Sequence, residues 1–527
     1  MSASYDVIVI GSGLNELVAA GLLAKAGRRV LVLEAGAALG GATVTEELAP
    51  GFRVDACAHD VGWLSPRIVQ ALELERHGLT LLESEVTSFT PTTDGAPLLL
   101  WRDQARTVEG IGRRAPADAG KWPEFAARMG RLAGFLEHAY STAPPRPVST
   151  RPANLLALLG AGLKLRGLGQ AGMVELLRVF PMSVADVLDE WFTDDVLKGT
   201  LGASGIAHLC QGPRSGGTAF LMLHHHVGRP AGCFRARTTA RGGIGGLVDA
   251  LAAAARRWGA EIRTGADVVR ILVRDGRATG VALRGGEELT ARVVACGADP
   301  RRTFLDLVDP AESDPEFLRA VRHIKSRGVW AKVNLALDGL PDFPALPGDG
   351  PHLRGVISIS PSLNYLERAY DAAKHGGVSA RPYLEAVIPS LADPGLAPAG
   401  KHVMSVHVQF APYRLKDGAW TDARREALGD SVVRLLAEYA PNLPGLIRHR
   451  QVLTPVDLEA QYGLPEGQLY QGELALDQAL FMRPVPGWAH SKTPVDGLYL
   501  CGAGSHPGGG IAGGAGALAA KVILKDG

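Results

Sequence analysis

The chain has 527 residues, 55 basic and 54 acidic, for a net charge of +1; it carries neither the basic excess that grips nucleic acid nor an acidic solvating tail. Hydrophobic residues make up 46% and charged residues 21%, an ordinary globular balance, and the length allows two or three domains. Glycine is the outlier at 66 residues, about twice its usual share, and it is clustered.

No secretory signal is read at the start: Met1 to Tyr5 lack a basic n-region, and the apolar run that follows is too short for an h-region or a span. Cys57, Cys210, Cys233, Cys296 and Cys501 form no CxxC pair. That spacing argues against a disulfide framework, a zinc site and a dithiol reductase, and for buried thiols in a reducing cytoplasm.

Residues 5–10 (Tyr-Asp-Val-Ile-Val-Ile) predict a buried parallel strand, and Gly11-Ser12-Gly13 follows at once. A helix starting near Leu14 and Asn15 runs to a stop at Gly27, and a second strand over 29–33 ends at Glu34 and Ala35. Strand, glycine turn, helix, strand and terminal acid within about 30 residues is the context of a dinucleotide fingerprint. Gly11 allows the turn, Gly13 lets the backbone approach a pyrophosphate, and the helix aims its free N–H groups at it. Glu34 sits where a carboxylate accepts ribose hydroxyls and repels a 2′-phosphate, which excludes NADP. The third fingerprint glycine is replaced by Glu16, which must turn outward or find a polar partner. Gly40-Gly41-Ala42 is placed to pass under the pyrophosphate, and an irregular segment is expected over 45–53. His59, beyond that segment, is a candidate for handling protons.

Leucines 155, 156, 158, 159 and 163, interspersed with Lys164, Arg166 and Arg178, read either as a membrane-touching amphipathic segment or as a helical cap. His224-His225-His226 does not read as a metal site, because three consecutive side chains cannot face one point on a helix or strand; one of them lining a pocket is an open alternative to packing. The run Arg241-Gly242-Gly243-Ile244-Gly245-Gly246 opens a helix, but no buried strand precedes it and no acid closes a strand after it, so it is a structural turn and not a second nucleotide site. Strands follow over 261–264, 267–273, 278–283 and 289–295. At the C-terminal end a strand over 497–501 meets Gly502-Ala503-Gly504-Ser505-His506-Pro507-Gly508-Gly509-Gly510-Ile511-Ala512-Gly513-Gly514 and then an apolar helix. So many glycines between strand and helix imply close backbone approach to a ligand.

That C-terminal run resembles the FAD signature of the phytoene desaturase and carotenoid isomerase superfamily, within the amine-oxidase-like flavoproteins. Stretches 41–47, 223–226, 331–338, 381–385, 388–390, 453–459 and 482–487 are similar to the branch typified by pyridine nucleotide-disulfide oxidoreductase domain-containing protein 2. The resemblance implies an α/β fold: a discontinuous Rossmann-type FAD domain over 1–85, 236–300 and 490–527, with a mixed α+β substrate domain from 86–235 (helical) and 301–489. It implies non-covalent FAD, held by Gly11, Ser12, Gly13, Leu14, Asn15, Glu34, Ala35, Gly40, Gly41, Ala42, Gly502, Ala503, Gly510, Ile511 and Ala512, with the Val268 backbone on the adenine. Lys332, a charge in the strand-like Trp330-Ala331-Lys332-Val333-Asn334-Leu335, matches a family lysine that holds a water against flavin N5; the plainer reading is a lysine reaching solvent at a strand edge. His506 reads as an architectural hydrogen-bonder, and Arg483 as either a substrate contact or a brace.

The expected activity is FAD-dependent dehydrogenation of a hydrophobic, polyene- or isoprenoid-like molecule, with O₂ or a quinone as electron acceptor. Amine oxidation, redox-neutral double-bond isomerisation and a non-catalytic FAD scaffold stay open. A cytoplasmic location with peripheral membrane contact is expected; oligomeric state is not readable.

Overall fold

The computed structural model describes residues 5–144 and 152–526, without the side chains of 152–157 and 161. Two seven-stranded sheets organise it. In the first, the order is Glu261–Arg263, Val30–Leu33, Tyr5–Ile10, Glu288–Cys296, Arg277–Leu283 and Val268–Arg274, with Leu498–Leu500 also paired to Glu288–Cys296. The strand Glu288–Cys296 runs antiparallel to Arg277–Leu283 at its start and parallel to Tyr5–Ile10 at its end. Both faces of the parallel strands are covered, which is why they read as unbroken apolar runs. Val7 and Val9 pack under the helices Leu14–Lys25 and Gly514–Asp526, while Ile8 and Ile10 meet Phe304, Phe317 and Val321 on the other side. These two helices approach so closely that a side chain at Gly516 would overlap the Asn15 carbonyl.

The second sheet has the order Ile447–Leu453, Trp330–Leu337, His402–Gln409, Tyr383–Val387, Val356–Ile359, Val86–Thr90 and Leu98–Trp101. Its strands alternate between two destinations. Val333, Leu335, Val406, Val408, Leu384 and Ala386 join Val432 and Leu436 of the helix Asp422–Ala437 in one apolar core. The intervening residues face the other way, and the register places Lys332 beside His407 and His407 beside Glu385. One row of ionisable groups across three strands thus follows from period-2 geometry.

Helices between 104 and 224 build a separate apolar layer around Trp122, Phe125 and Phe220. Among the described residues, the regular structure of 86–235 is helical apart from the strands Val86–Thr90 and Leu98–Trp101, which join the second sheet. The expected irregular stretch over 45–53 is instead an antiparallel hairpin, Thr45–Ala49 with Phe52–Asp55. Asp55 and Thr45 are spent inside the protein: their oxygens accept from the backbone N–H groups of Ile244 and Gly245. The N-terminus of the helix Ile244–Arg257 is thereby capped, so the glycine cluster before it is a structural turn.

Among the described residues no helix is long and apolar enough to cross a membrane, and all five cysteines are free. Within 152–180 lie the helices Pro152–Gly167 and Gly169–Val179. The leucine side chains at 155 and 156 fall outside the described residues. Leu159, Leu163, Val174 and Leu177 are exposed by 59 to 71%.

Candidate active site

One cavity runs from the first sheet to the second, and its two ends are built differently. At the first end the walls are backbone. Gly11 turns the chain at φ 94°, a conformation that favours glycine. The helix Leu14–Lys25 then starts without a side-chain cap, which leaves its first N–H groups for an anion. Glu34 is pinned: Oε2 accepts from the backbone N–H (3.0 Å) and hydroxyl (2.6 Å) of Ser12, and Oε1 from Gly36 N–H at 2.8 Å. Each oxygen has two lone pairs, so Oε1 keeps one for a ribose hydroxyl. Asn15 lines the same wall, and its buried Oδ1 has no protein partner. Glu16 does not turn outward; it is buried, and burial pushes its carboxyl up to about 8, aided by Glu34 and opposed by its own backbone N–H. It is therefore a neutral acid at neutral pH and does not repel a diphosphate. These residues fit the diphosphate and ribose of FAD.

Of the residues expected to hold FAD, Gly11 to Asn15, Glu34, Ala35, Gly40, Gly41, Ala42, Val268, Ala503, Gly510, Ile511 and Ala512 line the cavity. Gly502 does not; it packs against the Gly297 carbonyl, where a side chain would not fit. The strand pair Trp63–Leu64 with Ile511–Ala512 brings the C-terminal loop onto the cavity wall.

At the second end the walls are side chains: His59, His208, His225, His407, Arg229, Arg237 and Glu385. His59 is 2% exposed. Lys332 Nζ lies 3.1 Å from its Nδ1 and 2.9 Å from the Cys57 carbonyl. An ammonium only donates, so His59 Nδ1 accepts, and Nε2 carries the proton it donates to Glu385 Oε1 at 3.2 Å. Burial, and then the charge of Lys332, hold the His59 imidazole down at about 4. Lys332 is itself lowered by burial to about 8, with Asp55 the largest opposing influence. Its strand is internal to the sheet and the side chain is buried, so it is not a lysine reaching solvent at a strand edge. It orients His59 from behind.

Neighbouring tautomers follow by the same logic. His407 Nε2 donates to the Cys57 carbonyl at 2.9 Å, leaving Nδ1 as a lone pair with no protein partner among the described residues. His225 Nδ1 donates to the Ser204 carbonyl at 2.7 Å, so its Nε2 accepts from the Tyr470 hydroxyl at 3.1 Å. Burial holds His208 and His225 at about 3 and His407 well below its ordinary value. The cavity is thus lined by neutral imidazoles.

Glu385 ties the end together, accepting from Arg235 at 2.6 Å and from Arg237 at 2.7 Å. Burial alone would raise its carboxyl, but Arg237, Arg235 and His59 outweigh it and hold it well below the usual range. His59, Glu385 and His407 have the spacing of a three-ligand metal site. The chemistry is against it: the two rings are stacked at 3.8 Å, and the carboxylate is already committed to two guanidiniums.

Two of the remaining sequence candidates, His506 and Arg483, are structural. His506 bridges the carbonyls of Ala139 and Thr142. Arg483 donates to the carbonyls of Tyr470, Glu473, Gln478 and Ala503, which settles it as a brace. His224 and His225 line the cavity, whereas His226 stacks on Phe234. Reading the sequence missed His208, Arg229, Arg237, Glu385, His407 and Tyr470. Glu385 carried a usable signal, a lone charge inside the apolar strand Tyr383–Val387, the same signal that marked Lys332.

A Rossmann-type half, a glycine-walled dinucleotide groove and a second sheet closing over its far end define a flavin-dependent oxidoreductase. Residues 17–524 match the flavin containing amine oxidoreductases, and the chain belongs to this FAD-dependent family. Over 547 residues it is 36% identical to pyridine nucleotide-disulfide oxidoreductase domain-containing protein 2 of Rattus norvegicus, covering 100% of this chain and 94% of that one. Over 289 residues it is 30% identical to a phytoene desaturase (neurosporene-forming) of Rhodobacter capsulatus, covering 54% of this chain and 52% of the relative. A triple mutant of putrescine oxidase shares the fold with a TM-score of 0.61 at 16% identity, covering 99% of this chain and 98% of that one.

Proposed function

We propose that the protein dehydrogenates a C–C single bond of a substrate with an apolar body. FAD, when bound, supplies the hydride acceptor, and O₂ or a quinone takes the electrons onward. The observation that carries this reading is His407: a neutral imidazole on the cavity wall whose Nε2 is held by a backbone carbonyl and whose Nδ1 lone pair is free. It accepts the proton that leaves with the hydride. His59 cannot serve directly, since Lys332 and Glu385 occupy both its nitrogens. Val61, Trp63, Val227, Leu464 and Leu469 provide an apolar wall for the substrate's body. Such substrates reach the protein from a membrane surface touched by the exposed Leu159 and Leu163, on the helix that carries Lys164 and Arg166, and by Val174 and Leu177 of the next helix.

Anaerobic mixing of the holoenzyme with candidate substrates, followed at the visible band of oxidised flavin, tests the reading. A C–C substrate bleaches the band, and His407→Ala slows bleaching by about 10²–10⁴-fold while retaining flavin. Bleaching by amines alone, or an unchanged rate in the variant, would sink it.

A further inference from the structure

The charges at the second end of the cavity do not balance. Arg102, Arg229, Arg235 and Arg237 face three carboxylates, Asp60, Glu83 and Glu385. Glu385 is taken by Arg235 at 2.6 Å and Arg237 at 2.7 Å, Asp60 by Arg237 at 2.9 Å, and Glu83 by Arg102 at 3.2 Å. Arg229 is left with Asp60 at 3.5 Å and neutral oxygens, Thr238 Oγ1 and the Gly62 carbonyl. Behind this group Lys332 and Asp55 offset one another. The imidazoles of His59, His208, His225 and His407 are neutral and compensate nothing. One positive charge is therefore in excess in a largely buried site, where an unmatched ion is costly. The side chain with the weakest pairing, Arg229, is one that lines the cavity. His208 lines it too, and its buried Nδ1 has no protein partner.

We infer that the substrate carries a carboxylate, seated against Arg229, with its apolar body toward Trp63 and Leu469. A guanidinium offers a carboxylate charge and hydrogen bonds together. An ammonium at the same place would meet the excess cation. The inference rests on the dehydrogenation reading for its site and narrows the substrate class to acids with an apolar body, setting aside both neutral hydrocarbons and amines.

The test uses the holoenzyme and needs no turnover. Acetate, benzoate and octanoate, with benzamide and benzylamine as neutral and cationic counterparts of benzoate, are titrated against the visible flavin spectrum at neutral pH. The expected result is a carboxylate that binds at least about tenfold more tightly than its neutral counterpart, with benzylamine weakest. Arg229→Met removes the preference with flavin retained, and Arg229→Lys restores part of it. No spectral response to any of the three acids, an amine that binds as tightly as benzoate, or a preference that survives Arg229→Met overturns the inference. So does an Arg229→Met variant that shifts the flavin potential while leaving carboxylate affinity unchanged, because the surplus charge then serves the cofactor. Carboxylate binding with no reduction by any C–C substrate would leave the acid site standing and remove the dehydrogenase reading; reduction by a neutral hydrocarbon without carboxylate binding would do the reverse.

Discussion

The two ends of the cavity solve opposite problems. At the dinucleotide end the protein presents backbone N–H groups, a left-handed glycine turn and one carboxylate fixed by Ser12 and Gly36. Few side chains are committed, and most of the recognition lies within residues 11–42. At the far end recognition is made of side chains drawn from positions 59 to 470, held by reciprocal hydrogen bonds in a buried network. A backbone site tolerates side-chain change wherever no Cβ intrudes. A side-chain network fails as a unit.

The largest expected effect breaks the second end at its hub. Glu385→Ala leaves Arg235, Arg237 and His59 facing each other without their common acceptor. Removing one partner of a buried ion pair costs about 3–5 kcal/mol, so denaturant unfolding should show a loss of that order. Glu385→Gln, which keeps the shape and an acceptor oxygen, should lose less. Equal stability of wild type and Glu385→Ala would mean that the two ends are not built differently after all.

This contrast also explains what could be read from the sequence. The first sheet was legible because its signals are local: a β-branched run, a glycine turn and a strand-ending acid within thirty-odd residues, and a glycine-rich loop between a strand and a helix. The strands over 261–296 were legible for the same reason. The hairpin Thr45–Ala49 with Phe52–Asp55 was not, since Thr45-Glu46-Glu47 has little strand propensity and is held by pairing and by the bonds of Thr45 and Asp55 to the helix Ile244–Arg257. Lys332 was singled out correctly as anomalous, but its surroundings could not be known. Its row-mates His407 and Glu385 lie about 75 and 53 residues away in sequence, across two strand pairings, and register between such distant strands leaves no local trace. Arg229 and His208 sit in loops with no periodicity at all.

Glu16 gives a sharper and smaller test at the dinucleotide end, where it stands in place of the third fingerprint glycine. It faces Glu34, Cys296, Cys501 and the backbone of Gly13 and Gly297, with no basic partner among the described residues. Its carboxyl, raised to about 8, stays protonated in the folded protein up to that pH, whereas in the unfolded chain it ionises near its ordinary value of 4.5. Stability from this group is therefore full at low pH and declines as pH rises from the unfolded to the folded value. A bound diphosphate adds negative charge to the same wall and raises the carboxyl further. FAD affinity should then be flat below about 8 and fall above it, by at most about tenfold per pH unit. Equilibrium flavin binding across this range checks the slope. Glu16→Gln, permanently neutral, should abolish the slope and keep the affinity; a slope unchanged in that variant assigns it to another group.

The smallest effect on the folded protein lies outside the cavity, on the helices Pro152–Gly167 and Gly169–Val179. Leu163 is 59% exposed and Leu177 71%, so replacing both with glutamate removes little packing and should change unfolding stability by less than about 0.5 kcal/mol. If these leucines enter a bilayer, each is worth about 1.5–3 kcal/mol there when fully buried, and Lys164 and Arg166 add attraction to anionic lipid. Flotation with phosphatidylserine-containing vesicles should therefore recover the wild type and lose the double variant, while flavin content and the carboxylate preference of the cavity stay as they were. Equal recovery of both proteins would mark these helices as a cap on the apolar layer around Trp122, and the substrate would have to reach Trp63 and Leu469 from water. An acid with an apolar body can take either route, so the vesicle result decides how the substrate arrives without deciding what it is.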